Sequence, residues 1–438
     1  MVKPRISPLP RKVPLCASLC LALALGPASL PVFAAPPPPI VVQNCGDDPA
    51  PGSGSLRDAI ASASTDGTID LSQLPTTCGM TDAVITLTHG EIPIGVDNLK
   101  LQGPSVGTVT IEPGAGSQSR VLNHTGAGQL TISDLTIANG NVQAGANTAT
   151  GGCIRSSGAV FLTRSSVRDC SANGSAGYGG GMYAHGVVIL LESTVSGNKA
   201  RGSWGQGGGV FAYEGALVSY SALIDNETSG VGGGILTAGG STSIYNSTIE
   251  GGIAARGGAA FFVNTSGVTI LDSTISYNTA SQWVGGVFVQ GQAHIANSTI
   301  AHNSGASISG GLLVESGDLL LESSIIADNA SPGVPDFDWA NSTVAGADNL
   351  VMSSAPLPGV IKLTSDPLLG PLQYNGGRTR THMLMAGSPA IGAGNDNAVL
   401  WIDQRGSGYP RFLYSGGSYL TDIGAVQREW IFNDGFDG

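Results

Sequence analysis

Gly179-Gly180-Gly181-Met182-Tyr183-Ala184 and, a little further on, Glu192-Ser193-Thr194-Val195-Ser196-Gly197-Asn198 are the two halves of one repeated phrase. The first half returns as Gly207-Gly208-Gly209-Val210-Phe211-Ala212 and as Gly232-Gly233-Gly234-Ile235-Leu236-Thr237. The second returns as Asp272-Ser273-Thr274-Ile275-Ser276-Tyr277-Asn278 and Asn297-Ser298-Thr299-Ile300-Ala301-His302-Asn303. Its apolar marker falls at Ile137, Val167, Val195, Leu223, Ile249, Ile275, Ile300 and Ile326, in steps of 25 to 30 residues. So steady a period means that each copy is one structural unit stacked on the next.

Each period holds two runs that alternate apolar and small polar residues, separated by Gly, Ser and Asn; this is the patterning of strands. Only 13 to 15 residues separate the glycine cluster from the marker, too few for a crossover helix plus two strands. Successive strands must therefore wind around one axis and pair in parallel, copy on copy. The expected fold is all-β, a right-handed parallel β-helix over 84–329, with a short N-terminal capping helix and an irregular C-terminal cap. Composition agrees, with 66 Gly, 41% hydrophobic and only 11% charged residues.

Residues 1–34 read as a secretory signal peptide: a basic region ends at Lys12, an apolar run spans Val13 to Leu25, and Val32-Phe33-Ala34 supplies the small residues of a cleavage site. Pro14, Gly26 and Pro27 interrupt any longer membrane-spanning run, so no transmembrane segment is expected after cleavage. Of 19 basic residues four lie in this leader, which leaves 15 against 31 acidic ones, a formal charge of −16. Nucleic acid and anionic membranes are excluded as partners on that ground. The expected location is extracellular or on the outer cell surface.

Four mature cysteines remain, Cys45, Cys78, Cys153 and Cys170, an even number in an exported chain. Three pairings are possible; Cys45 with Cys78 and Cys153 with Cys170 is favoured because each pair is local in sequence. No CxxC or neighbouring His supports the metal alternative.

Residues 35–83 read as a linker and N-terminal cap. After the prolines 36–39, Gly54-Ser55-Leu56-Arg57-Asp58-Ala59-Ile60-Ala61-Ser62-Ala63 carries a capping box, Ser55 with Asp58, and an apolar face of Leu56, Ala59, Ile60 and Ala63. The segment Ser55-Leu56-Arg57-Asp58-Ala59-Ile60 resembles the N-terminal motif of exported bacterial β-helix proteins named for the letters CSLREA, with Gly54 where the motif has Cys. The glycine phrase is similar to repeats of polymorphic outer-membrane proteins, without their FxxN motif. Beyond Asn329 a different text begins: Asp366-Pro367-Leu368-Leu369-Gly370-Pro371-Leu372, Asn375-Gly376-Gly377, Thr381-His382, Gly387-Ser388-Pro389-Ala390-Ile391, Asp403-Gln404-Arg405-Gly406 and Asp422-Ile423-Gly424-Ala425. In this order they resemble the choice-of-anchor Q domain, here 330–429, followed by a tail 430–438. The resemblance implies secretion or surface display and carries no catalytic residues.

Asn198, Asn226, Asn278, Asn303 and Asn329 recur at one turn, and an asparagine ladder is expected there, with these residues in the left-handed conformation. Directly after the glycine cluster Arg155, Tyr183, Phe211, Leu236, Phe261, Phe288 and Leu313 align, and their neighbours are also apolar. One set must face outward. Either a loop or the C-terminal segment covers it, or Tyr183, Phe211, Leu236, Phe261, Phe288 and Leu313 form an exposed stripe that binds a glycan or an envelope protein.

No catalytic residue, metal or cofactor is assigned. Lyases on such scaffolds need a base beside calcium-binding acids, and hydrolases need converging carboxylates. Arg155, Arg164, Arg168 and Asp169 are the best basic group, Asp336 and Asp338 the best acidic pair. Gly103-Pro104-Ser105-Val106-Gly107 matches a GxSxG nucleophile by letters, but a strand follows where the elbow requires a helix. The expected function is an adhesive, structural or glycan-binding one through the lateral face. The alternatives are a polysaccharide lyase or hydrolase and a protein-binding envelope passenger.

Overall fold

The computed structural model describes residues 37–79, 81–356, 361–395, 401–415 and 418–428; the expected signal peptide and the 430–438 tail lie outside them. The chain winds as a right-handed parallel β-helix. The coil that begins at the quoted phrase has four strands, Met182–Ala184, Val188–Leu191, Thr194–Ser196 and Lys199–Arg201. Repeated coil on coil they make four walls, numbered 1 to 4 in that order, with 10, 12, 12 and 7 strands among the described residues.

Wall 3 holds the markers in one column, each paired with the next: Ile85, Ile111, Ile137, Val167, Val195, Leu223, Ile249, Ile275, Ile300, Ile326 and Val351. Like therefore packs on like, and a single buried core runs along the axis. Pairing starts earlier than the sequence indicates, where Ile40–Val41 joins Thr68–Asp70, and continues past Asn329 to Ile361–Leu363. These outer coils escape a reading based on the repeated phrase because they keep its inward apolar residues and lose its glycines.

Leu56–Ala61 is helical, with Ser55 Oγ accepting from the Asp58 N–H. Leu56, Ala59 and Ile60 enter the common core. Arg57 grips Asp47 with two bonds of 2.7 and 3.1 Å and donates to Glu91 O at 2.9 Å. Burial alone would raise the Asp47 carboxyl, but Arg57 and the N–H groups of His89 and Thr88 hold it below its usual range. Arg57 and Asp58 therefore serve the cap. Disulfides join Cys45 to Cys78 and Cys153 to Cys170.

The glycine triplet has a steric cause at each position. Gly179 has φ 65°; a Cβ on Gly180 would lie 2.4 Å from the Lys199 backbone; one on Gly181 would meet the Asn198 amide at 2.9 Å. Wall 4 thus approaches wall 1 through the space that missing side chains leave.

Asn198 donates to Asn226 at 2.9 Å, Asn278 to Asn303 at 2.8 Å and Asn303 to Asn329 at 2.9 Å. Gly252 interrupts the ladder between Asn226 and Asn278. The left-handed conformation belongs to the residue before each ladder position, Gly197, Asp225, Gly251, Tyr277, His302 and Asp328. The reason is directional: the left-handed residue turns the chain, and only the next side chain then points inward. Cys170 starts the column, its N–H donating to Asn198 Oδ1 at 3.0 Å, and Asp336 ends it, accepting from Asn329 Nδ2 at 2.9 Å. At the turn between walls 2 and 3 the hydroxyls of Ser193, Ser221, Ser247, Ser273, Ser298 and Ser324 each accept the N–H of the serine one coil earlier.

The segment after 363 does not close the end of the spiral, as a terminal cap would. It lies along the outward face of wall 3. Thr248 Oγ1 donates to Arg380 O at 2.6 Å, Gln404 Nε2 donates to Ser247 O at 3.1 Å, and Ala425 N donates to Thr299 Oγ1 at 3.0 Å. Arg378 pairs with Glu192, Arg380 with Glu250 and Arg411 with Asp272. Near its end Leu384, Ala390 and Ile423 pack on Ile325 and Ala327. Outward side chains that would be solvated, such as Thr274, Ser276 and Ala301, are buried for this reason. Among the described residues no helix is long and apolar enough to cross a membrane.

Asn303→Ala strips buried partners on both sides, so the variant loses about 2–4 kcal/mol, read as a lower urea midpoint at unchanged slope; a loss below about 0.5 kcal/mol counts against the ladder as a source of stability. Burial pushes the Asp336 carboxyl from its ordinary 3.8 up to about 6, against the Asn329 bonds. The folded chain therefore holds that proton more tightly than the unfolded one, and the group's stabilisation, full below about pH 4, is lost as pH rises through about 6. Asp336→Asn keeps the acceptor without the proton, so its advantage over wild type is absent in acid and grows to on the order of 2 kcal/mol above pH 6.

Candidate functional site

The aligned apolar column stands on the outward face of wall 1: Arg155, Tyr183, Phe211, Leu236, Phe261, Phe288 and Leu313 pair in sequence, coil to coil. It is not an exposed stripe. Phe211, Leu236, Phe261, Phe288 and Leu313 are all below 9% exposed, and Tyr183 is half-buried. The cover comes from the loops between walls 4 and 1, whose Tyr178, Val231, Trp283, Val284 and Ile308 fold back over the column. Phe261 stacks on Phe288 at 4.4 Å, and Tyr178 and Tyr183 flank Phe211 at 5.5 and 5.2 Å. The six residues read as ligand-binding are thus a floor, closed by loops of their own coils because each apolar ring gains by leaving water. The C-terminal segment covers wall 3, not this wall.

A candidate surface lies on the outside of those loops. Tyr178, Gln206, Val231 and Arg256 are joined by parallel bridges into a second row above the floor. Against this row a groove of about 370 Å³ is lined by Ser203, Trp204, Gln206, Ser229, Arg256 and Gln282 among others. Trp204 is 68% exposed, an indole that pairs with no other ring among the described contacts. The Arg256 guanidinium lies 4.1 Å above the Trp283 ring, which also meets Phe288 at a tilt with the ring centroids 6.0 Å apart. A rigid aromatic floor thus carries a planar ring, a stacked cation and two carboxamides, which suits a ligand with flat apolar faces and many hydroxyls. The groove lining brings one ionisable side chain, Arg256, so it can hold and orient a ligand; proton transfer would need groups from elsewhere.

Sequence reasoning missed these residues because they sit in the stretch of each period where the phrase loosens. The signal was present, since Tyr178, Trp204 and Trp283 all fall just before a glycine cluster.

The other candidates are dispersed. Arg155 donates to Asn123 on wall 1, Arg164 pairs with Asp134 at the turn between walls 2 and 3, and Arg168 pairs with Asp169 on wall 3. Asp336 is buried in the ladder, while Asp338 points outward and accepts the Trp339 N–H. Gly103–Gly107 is a turn that leads straight into the strand Thr108–Pro113. His294 meets Glu322 at 3.2 Å, and His185 stacks on Tyr213. Among the described residues no three His, Cys, Asp or Glu side chains come together as a metal set.

One pair imitates a nucleophile and base: Ser276 Oγ lies 2.9 Å from His382 Nε2, and His382 Nδ1–H donates to Gly370 O at 2.7 Å. Burial drops the His382 ring to about 4, so it is neutral, but Ser276 is fully buried beneath the C-terminal segment. The pair is a latch between that segment and wall 3.

A sequence model of the right handed beta helix region matches residues 218–356. No curated protein matches. Among solved structures, the crystal structure of pectate lyase Pel9A is similar with 13% identity and a TM-score of 0.45, over 90% of this chain and 97% of that one.

The latch has a measurable counterpart in Arg411 and Asp272, both fully buried. Burial pushes the Asp272 carboxyl up to about 7 even with Arg411 beside it. Arg411→Met leaves that carboxyl alone and costs about 3–5 kcal/mol of docking energy, seen as faster proteolysis within 364–428 while the coils stay intact; adding Asp272→Asn recovers part of the loss.

Proposed function

We propose that this chain is exported and acts outside the cell as a non-catalytic β-helix that binds a glycan in the groove between walls 4 and 1. The observation that carries the reading is the exposed Trp204 beside the Arg256–Trp283 stack, set on a buried aromatic floor. A pyranose ring presents an apolar face to an indole and hydroxyls to carboxamides, and here Gln206 and Gln282 line the same groove as Trp204. The two disulfides fit an oxidising compartment. A lyase or hydrolase reading asks for carboxylates in the groove, and its described lining offers none.

Trp204→Ala is the direct test, since an exposed loop residue leaves the coils unchanged. In affinity electrophoresis through gels containing soluble polysaccharides, the wild-type chain is retarded by at least one of them and the variant binds about tenfold more weakly, or about 1.4 kcal/mol. Equal retardation of the two proteins, with retention instead on a cell-envelope protein fraction, replaces the glycan by a protein partner.

A further inference from the structure

Arg256 is held from two sides and left uncompensated. Its ring contact is with Trp283, and Nε donates to Gln282 Oε1 at 3.3 Å. Its backbone is fixed as well, N–H to Gly230 O at 3.0 Å. Arg164, Arg378, Arg380 and Arg411 each meet an acid, whereas among the described residues no carboxylate pairs with Arg256. With Nε engaged, the terminal nitrogens keep the planar fork of donors that matches a carboxylate or a sulfate.

The surroundings reinforce this charge. The wall 4 strands Lys199–Arg201 and Glu227–Thr228 run directly into the loops that line the groove. Lys199 and Arg201 are about half-exposed, and both lean on the same carboxylate, Glu227, at 3.4 and 3.9 Å. In a chain of formal charge −12, this rim therefore sets three cations against one acid. Such a local excess draws an anion toward a surface that elsewhere repels it.

We infer that the ligand of the groove is an acidic polysaccharide, with a carboxylate or sulfate held by Arg256 and a sugar ring against Trp204. The inference rests on the glycan reading above and adds the sign of the ligand's charge. A uronate and a sulfate ester offer the same chemistry to the guanidinium, and the experiment separates them.

Binding of the full chain to two matched pairs of polymers decides it: hyaluronan against its methyl ester, and dextran sulfate against dextran. Wild type prefers the acidic member of at least one pair by about tenfold or more at low salt, and the preference shrinks as salt rises. Which pair shows it identifies uronate or sulfate. Arg256→Gln loses the preference, Arg256→Lys retains part of it, and the melting temperature of each variant checks the fold. Equal binding of acidic and neutral members by wild type, or an undiminished preference in Arg256→Gln, overturns the acidic ligand and leaves the glycan reading standing. Binding of none of the four polymers overturns the acidic ligand, and the glycan reading is then decided by the Trp204→Ala electrophoresis alone. Polyglutamate bound as tightly as the acidic polymers, and equally dependent on Trp204, overturns the sugar in favour of an acidic peptide.

Discussion

Parallel stacking in strict register is the constraint on which the rest of this molecule depends. Neighbouring strands lie about 4.8 Å apart, so each side chain has its counterpart in the next coil within contact distance above and below. Apolar residues then form columns in the core, hydroxyls and amides form ladders at the turns, and aromatic rings pile into a floor on wall 1. A residue unsuited to its column disturbs two neighbours as well as itself. That is why Gly252, the one ladder position without a side chain between Asn226 and Asn278, breaks the amide chain into two.

What could be read in the chain follows from the same rule. Val195, Leu223, Ile249 and Ile275 were legible as a column because inward positions tolerate only a narrow range of shape, so the phrase around them repeats. Trp204, Arg256 and Trp283 lie where each coil turns through solvent, and there the chain is free to differ from copy to copy. Sequence periodicity therefore reveals the scaffold and hides the groove built on it. The apolar column of wall 1 was visible, and a loop over it was one of the expectations, but the covering residues were not legible, since Val231 and Val284 look like ordinary loop residues until the fold gathers them into one cluster with Phe211 and Phe288.

The C-terminal segment shows the complementary case. Its ordered motifs repeat nothing, yet His382, Gln404 and Gly424 turn out to be among the residues that touch wall 3 and its edge. Gly424, with φ 103°, passes so near Ile325 that a Cβ would lie 2.7 Å from its side chain. A motif recognised by resemblance thus acquires a mechanical meaning: it is the inner surface of a strap. Nothing in the letters says on which wall the strap lies, because the hydroxyl positions of wall 3 look the same whether they face water or protein.

The strap also changes how the solenoid behaves as a whole. Stacked repeats are ordinarily a one-dimensional array, able to melt from either end with each unit answering only to its neighbours. Here a single non-repetitive segment reaches back from beyond the last coil to Glu192, crossing the coils of Glu250, Asp272 and Thr299 on its way. No coil in that span can open without prising off the strap, and the strap has no seat until those coils exist. A segment that repeats nothing thereby converts a string of loosely coupled turns into a single cooperative body.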